Sequence, residues 1–329
     1  MEHSSVAAGW RTYANSTGAT STGNYTSATG YASLATGLST SAFGSQSVAT
    51  GNKTSAVGTN SSTFGLETIA QNTGSFAIGD KTSATNNYSF ASGAETLAEG
   101  QRSFATGYKT SAIGDSSFTM GTNNIAEGDN SLVFGFKTTA TGTNSFAGGK
   151  NGEALGEQSM SIGQGSSAMG KSSFAAGYFN KVGFQNNSSS YGWYSVAFGD
   201  SNDNRQYSSL VVGQNNILYP YASDFDAEGC NIVGGDTNVV STKVKNSFMT
   251  GKDNRQRGSH SFVSGELNYL YGNNGNVFGM SNTVGLSGQT DSTTFGHLSL
   301  AVGKRNDLTG DYSLMGGKDN RDVQVLDDQ

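Results

Sequence analysis

A five-residue phrase, Ser-x-Ala-x-Gly in its commonest form, returns every fourteen residues from Ser5 to Ser173. It reads SVATG from Ser47, SFAIG from Ser75, SFASG from Ser89, SFATG from Ser103 and SFAAG from Ser173. A second phrase runs seven residues out of phase: TSAFG from Thr40, TSAVG from Thr54, TLAEG from Thr96 and TSAIG from Thr110. Self-similarity at a fixed period is the mark of repeat architectures, which grow along one axis. Five residues make a short strand, and each phrase is followed by a two-residue spacer. The unit is therefore strand, turn, strand, turn. A helix would carry two glycines per unit, at a cost of roughly 2 kcal/mol relative to Ala.

The phase is kept unit after unit, so isolated hairpins do not fit. Stacked coils do, with equivalent strands pairing in parallel about 4.8 Å apart. Gly closes each phrase, where we expect it to supply positive φ; Asn72 and Asn86 take that slot as the next most tolerant residues. The small middle residue of both phrases (Ala49, Ala77, Ala91 and Ala105; Ala42, Ala56, Ala98 and Ala112) predicts two closely packed sheets with alanine inside. The opposite assignment, Phe inside, would leave an odd all-alanine solvent face.

With alanine inside, the second position of the first phrase faces out. It carries Val48, Phe76, Phe90, Phe104, Phe118, Leu132, Phe146 and Phe174, whereas the matching slot of the second phrase is mostly Ser or Thr. A soluble monomer seldom exposes an apolar patch beyond a few hundred Å². These eight residues are the expected interface of a parallel homo-oligomer.

Composition narrows the function. Low hydrophobicity (34%) with 47 glycines would usually signal disorder, which the strict spacing contradicts. A net charge of −6 with no basic stripe argues against nucleic-acid binding. The single Cys230 excludes an intrachain disulfide and reads as a buried stand-in for the phrase's Ser. No apolar run reaches the roughly 18 residues of a membrane-spanning helix. His3, His260 and His297 are isolated, and no catalytic or metal-binding motif is present. We expect no enzyme activity, cofactor, metal or membrane insertion.

The unit S-[VFL]-A-x-G-x-x-[ST]-x-A-x-G-x-x resembles the head repeat of YadA-like trimeric autotransporter adhesins, closely over residues 5–177 and loosely over 195–317. The same repeat is known in phage tail fibres and appendages, and SFMTGKDN (Ser247–Asn254) and SFVSGELN (Ser261–Asn268) are similar to the G-x-x-N variety met there. The resemblance implies a left-handed parallel β-roll, a homotrimer, and an adhesive or structural role. A whole autotransporter would also have a signal peptide, a coiled-coil stalk and a membrane barrel, and none is read here. The expectation is therefore a virion appendage, with other virion proteins and a host-surface glycan or protein as partners. The bacterial cell surface, with this chain an excised adhesin head, is the alternative. An ice-binding solenoid and a capsule depolymerase are two further readings from other classes.

The rhythm divides the chain at residue 184, into a regular roll (1–184) and an interrupted one (185–329). The first phrase resumes at Ser195, then at Cys230 after seven inserted residues, at Ser247 after three more, and is ambiguous between 280 and 299. Three residues after the closing Gly stand Asn202, Asn216, Asn254, Asn268, Asn282, Asn306 and Asn320. Stacked asparagines can form a hydrogen-bonded ladder, and asparagine also simply favours turns. The inserts hold the candidate ligand residues Trp193, Tyr194, Tyr219, Tyr221 and Phe225, beside Asn186, Asn187 and Asp224. Aromatics next to such polar groups suit sugars; equally, they could pack the loops or the trimer.

Overall fold

In the computed structural model, long strands alternate with two-residue strands from Val6 to Asp322, with no helix among the described residues. Those are residues 4–183, 192–219, 231–241, 244–285 and 298–322. Contacts divide the chain into two compact units, Met1–Gln158 and Ser159–Gln329.

Both units are parallel solenoids. In the first, each long strand pairs with its equivalent fourteen residues on, as in Phe76↔Phe90, Ala77↔Ala91 and Gly79↔Gly93. The short strands do the same, Ser83↔Leu97 and Ala84↔Ala98. Alternation decides the faces. Ala77, Ala84, Ala91 and Ala98 are 0% exposed and pack against one another, while Phe76 and Ile78 flank Ala77 on the outside. Alanine is the inner residue, as expected. The second unit keeps the plan but fills it with larger side chains: Val211, Leu218, Val233, Val240, Met249, Val263 and Leu270 are all buried. Each added methylene brings about 0.8 kcal/mol of apolar burial, so these coils gain more from their interior than the alanine coils do.

Glycine has two separate reasons to close the phrases. Gly79, at the end of a long strand, has φ +129°, and a Cβ there would overlap the carbonyl oxygen of Gly93 on the next coil. Gly44, at the end of the second phrase, is not left-handed, yet its Cβ would overlap the carbonyl oxygen of Gly58. Close stacking alone requires it. The expectation that Asn72 and Asn86 adopt positive φ is therefore wrong. The left-handed residues lie two positions further on, at Gly74 (64°) and Tyr88 (57°).

Each coil turns its corners on such residues, and most are not glycine. Lys81 (53°) and Tyr88 are one such pair. A non-glycine residue in this region costs roughly 1–2 kcal/mol. The cost is offset by backbone bonds between coils: Lys81 N–H donates to the Leu66 carbonyl at 2.8 Å, and Tyr88 N–H to that of Thr73 at 2.9 Å. The hydrogen-bonded ladder therefore continues around the corners.

Register settles the irregular half. Ile232 pairs with Leu210 and with Phe248, and Asn231 pairs with Ser247. Asn231, not Cys230, occupies the serine slot, so the insertions are eight and two residues rather than seven and three. Cys230 itself lies outside the described residues. The ambiguity near 290 is resolved by Asn276↔Leu300 and Thr283↔Asp307: this coil step is 24 residues, ten more than the repeat.

Candidate interaction surfaces

The long-strand face carries the stripe predicted to be an interface. Rings of Phe76, Phe90, Phe104 and Phe118 stack nearly parallel, with successive centroids 5.2, 4.6 and 4.8 Å apart. Leu132 and Phe146 continue the row, with Phe134 edge-on to Phe146 at 5.0 Å. Val48 lies in the same row at the coil where Ser62 follows it. Val48, the four stacked rings, Leu132 and Phe146 are all half-buried by neighbouring coils. The next outward position adds Ile78 (38% exposed), Met120 (48%) and Phe134 (38%). The second unit repeats the theme: Phe174 meets Phe198 edge-on, and Phe248, Phe262 and Phe278 stack.

The short-strand face is mixed. Phe43, Val57, Ile69, Ile113 and Ile125 are exposed there, but Ser41, Ser55, Ser83, Glu99, Ser111, Glu127 and Thr139 interrupt them. Charged pairs bridge successive coils at the corners. Lys53 Nζ lies 2.9 Å from Glu67 Oε1, and that hydrogen bond, with the attraction of the ammonium, holds the Glu67 carboxyl below its usual range. On the short-strand face Arg205 is hydrogen-bonded to Asp203, which raises the guanidinium further above its ordinary value.

An asparagine ladder runs inside the second unit. Nδ2 of Asn202 donates to Oδ1 of Asn180 (2.9 Å), and Asn216, Asn238, Asn254, Asn268 and Asn282 repeat the bond at 3.0–3.1 Å. Asn306 donates its backbone N–H to Asn282 Oδ1, and Asn320 Nδ2 donates to Asn306. The ladder is real, and it is longer than the sequence suggested: Asn180 and Asn238 belong to it. In the first unit the same slot is mostly Thr, and the hydroxyls of Thr40, Thr54, Thr68, Thr82, Thr96 and Thr110 are buried without a hydrogen-bond partner. Asn124 and Gly152 are the exceptions there, and Asn124 is the one with a side-chain amide. It bonds the Met120 and Gly135 carbonyls and accepts from Thr138.

Of the candidate ligand residues, Tyr221, Phe225, Asn186, Asn187 and Asp224 lie outside the described residues. Trp193 is half-buried, and its carbonyl accepts the Ser208 N–H. Tyr194 is exposed at a left-handed corner and packs edge-on against Tyr207 at 5.5 Å. Tyr219 lies on the short-strand face, where it lines a cleft of about 280 Å³ with Val239, Ser241, Arg255, Arg257, Leu270 and Tyr271. None of those six was foreseen. Among the described residues, no three His, Cys, Asp or Glu side chains gather as a metal site would require.

The YadA head domain repeat matches residues 35–61, 70–96, 126–151 and 154–180. Those four segments are YadA head repeats. No curated protein matches it. The first three matched segments have Thr in the inner slot (Thr40, Thr54, Thr82, Thr96 and Thr138), whereas the fourth has Ser166 and ends at Asn180, where the asparagine ladder begins. Beyond that residue parallel coils continue to Asp322 with a different inner hydrogen-bonding scheme.

Proposed function

We propose that this protein is the self-associating head of a surface-displayed, non-enzymatic adhesin. Three copies pack their long-strand faces together and turn their short-strand faces outward. The single observation behind this reading is the one-sided stripe of stacked phenylalanines with Ile78, Met120 and Phe134 exposed beside it. Fully burying each Phe is worth roughly 1.5–3 kcal/mol, and an interface that repeats coil after coil accumulates that gain. The number three comes from the similarity to YadA-type heads, which are homotrimeric. The match also supports display on a bacterial cell surface. Display on a virion rests on the resemblance of the G-x-x-N coils alone. Sedimentation of the purified chain gives the copy number, and immunogold labelling of intact cells and particles gives the carrier. A monomer with its stripe in water would overturn the reading.

A further inference from the structure

We propose that the cleft beside Tyr219 is a binding site for carboxylate-bearing sugar units. This deepens the adhesin reading and rests on it for the biological source of the ligand; binding itself is a property of the cleft.

The cleft follows from one small residue in a row of large ones. Tyr219, Ser241, Arg257 and Tyr271 occupy the same position after the short strand on four successive coils. Their N–H groups donate in turn to Val240, Gln256, Leu270 and Val284 one coil on. Coils are spaced about 4.8 Å apart, so Ser241 leaves a notch between an aromatic ring and a guanidinium. Val239 and buried Leu270 line it with apolar surface, and Arg255, paired in register with Val239, adds a second cation. The volume lies near the low end of small-molecule sites, about 300–1,000 Å³, which suits a single sugar ring.

Charge identifies the ligand class. The second unit's Arg205, Arg305 and Arg321 each have an acidic partner: Asp203, Asp319 and Asp307. Arg255 and Arg257 have none among the described residues. Register explains why. Their neighbours one coil away are Val239 and Ser241 on one side and Tyr269 and Tyr271 on the other. Two guanidinium groups with no acidic partner among the described residues thus stand together on a protein of net charge −6. Each lies over a tyrosine ring, Arg255 5.8 Å from the Tyr269 centroid and Arg257 5.4 Å from that of Tyr271. Stacking steadies the plane of the guanidinium and leaves its N–H edge free for a carboxylate. Arg–carboxylate pairs are frequently bidentate, which adds direction as well as strength. Tyr219 and Tyr271 supply ring faces and hydroxyls for a pyranose, and Ser241 a further hydroxyl.

The test uses the full chain, titrated by calorimetry with trigalacturonic acid and with 3′-sialyllactose, each beside its carboxyl-methyl ester. At least one acid should bind saturably, and at least tenfold more tightly than its ester. The two arms separate uronic from sialic sources. R255Q/R257Q should weaken binding at least tenfold with melting and copy number unchanged, and R255K/R257K should fall between. Ser241→Phe, which fills the notch and keeps both charges, should abolish binding. Failure of both acids to bind, equal binding of an ester, or unchanged binding by R255Q/R257Q would each overturn the assignment. Cell adhesion is scored separately. Adhesion that survives R255Q/R257Q removes the cleft from the adhesin's work, whereas acid binding without adhesion to any cell leaves the cleft standing and removes the adhesin.

Discussion

The rings of Phe90 and Phe104 lie 4.6 Å apart and within 4° of parallel on successive coils. Each is covered on its faces by its neighbours, yet the outer edges of the row stay open along the long-strand face. Stacking of this kind contributes about 0.5–1.5 kcal/mol per pair beyond area burial. It therefore steadies the coils and at the same time lays out a continuous apolar surface.

Replacing Phe76, Phe90 and Phe104 together with Ser should dissociate the assembly. Alanine, not phenylalanine, fills the coil interior, so the strand content read by circular dichroism should largely persist. Light scattering reads the copy number. An equally heat-stable assembly of the same mass would remove these rings from the interface.

The two kinds of glycine give a paired test of the coil. Gly79→Ala meets both a left-handed φ, which costs roughly 1–3 kcal/mol, and overlap with the Gly93 carbonyl. It should lower the melting temperature strongly. Gly234→Ala should be tolerated, because nothing lies closer than 3.7 Å to its Cβ position and its φ is not left-handed. Equal effects of the two changes would contradict the stacking geometry.

At the corner between two coils, Lys53→Gln should let the Glu67 carboxyl rise back toward its ordinary range. A depressed carboxylate contributes stability above its unfolded pKa and loses it as pH falls through the folded value. The contribution of this pair is therefore present at neutral pH and disappears in acid. Both side chains are solvated, at 63% and 39% exposure, so the melting temperature at pH 7 should barely move. Carboxyl NMR through an acid titration checks the shift, and an unmoved Glu67 would refute the pairing in solution.

Much of this fold was legible because the repeat states its own period. The alanine in Phe76-Ala77-Ile78 and its partner in Ser83-Ala84 give the inner face by alternation alone. What escaped was anything fixed by three-dimensional stacking. The left-handed residue is Tyr88 and not Asn86, because Gly and Asn in the second phrase answer to the neighbouring coil rather than to their own φ. Asn231 was passed over for Cys230 because the serine slot accepts several small polar residues, and only register separates adjacent ones. That one-residue slip also hid Asn238 from its ladder. The cleft was half seen: Tyr219 stood out as an aromatic, but Ser241, Arg257 and Tyr271 are far apart in sequence and meet only as successive coils.

The inner slot that holds Thr in the first unit and Asn in the second predicts opposite outcomes for similar substitutions. Asn254 Nδ2 donates to Asn238 Oδ1 at 3.0 Å, to the Thr250 carbonyl at 3.2 Å and to that of Gly265 at 2.8 Å. Its Oδ1 accepts both the backbone N–H and Nδ2 of Asn268. Asn254→Ala leaves several buried groups unpaired, at about 1–3 kcal/mol each, so a loss of several kcal/mol is expected. The Thr82 hydroxyl is buried without a partner, so Thr82→Val removes an unpaired polar atom and keeps the branched shape. It should be neutral or stabilising by about 1 kcal/mol, because replacing an unsatisfied group by an apolar one of the same shape releases its desolvation cost. In a solenoid each coil contacts mainly its neighbours, so the two effects should stay local to their own units. Hydrogen exchange read coil by coil in the two variants checks this. Protection lost around Asn254 and retained around Thr82 is the expected pattern, and comparable losses at both positions would mean that the asparagine ladder carries no more than the threonine row.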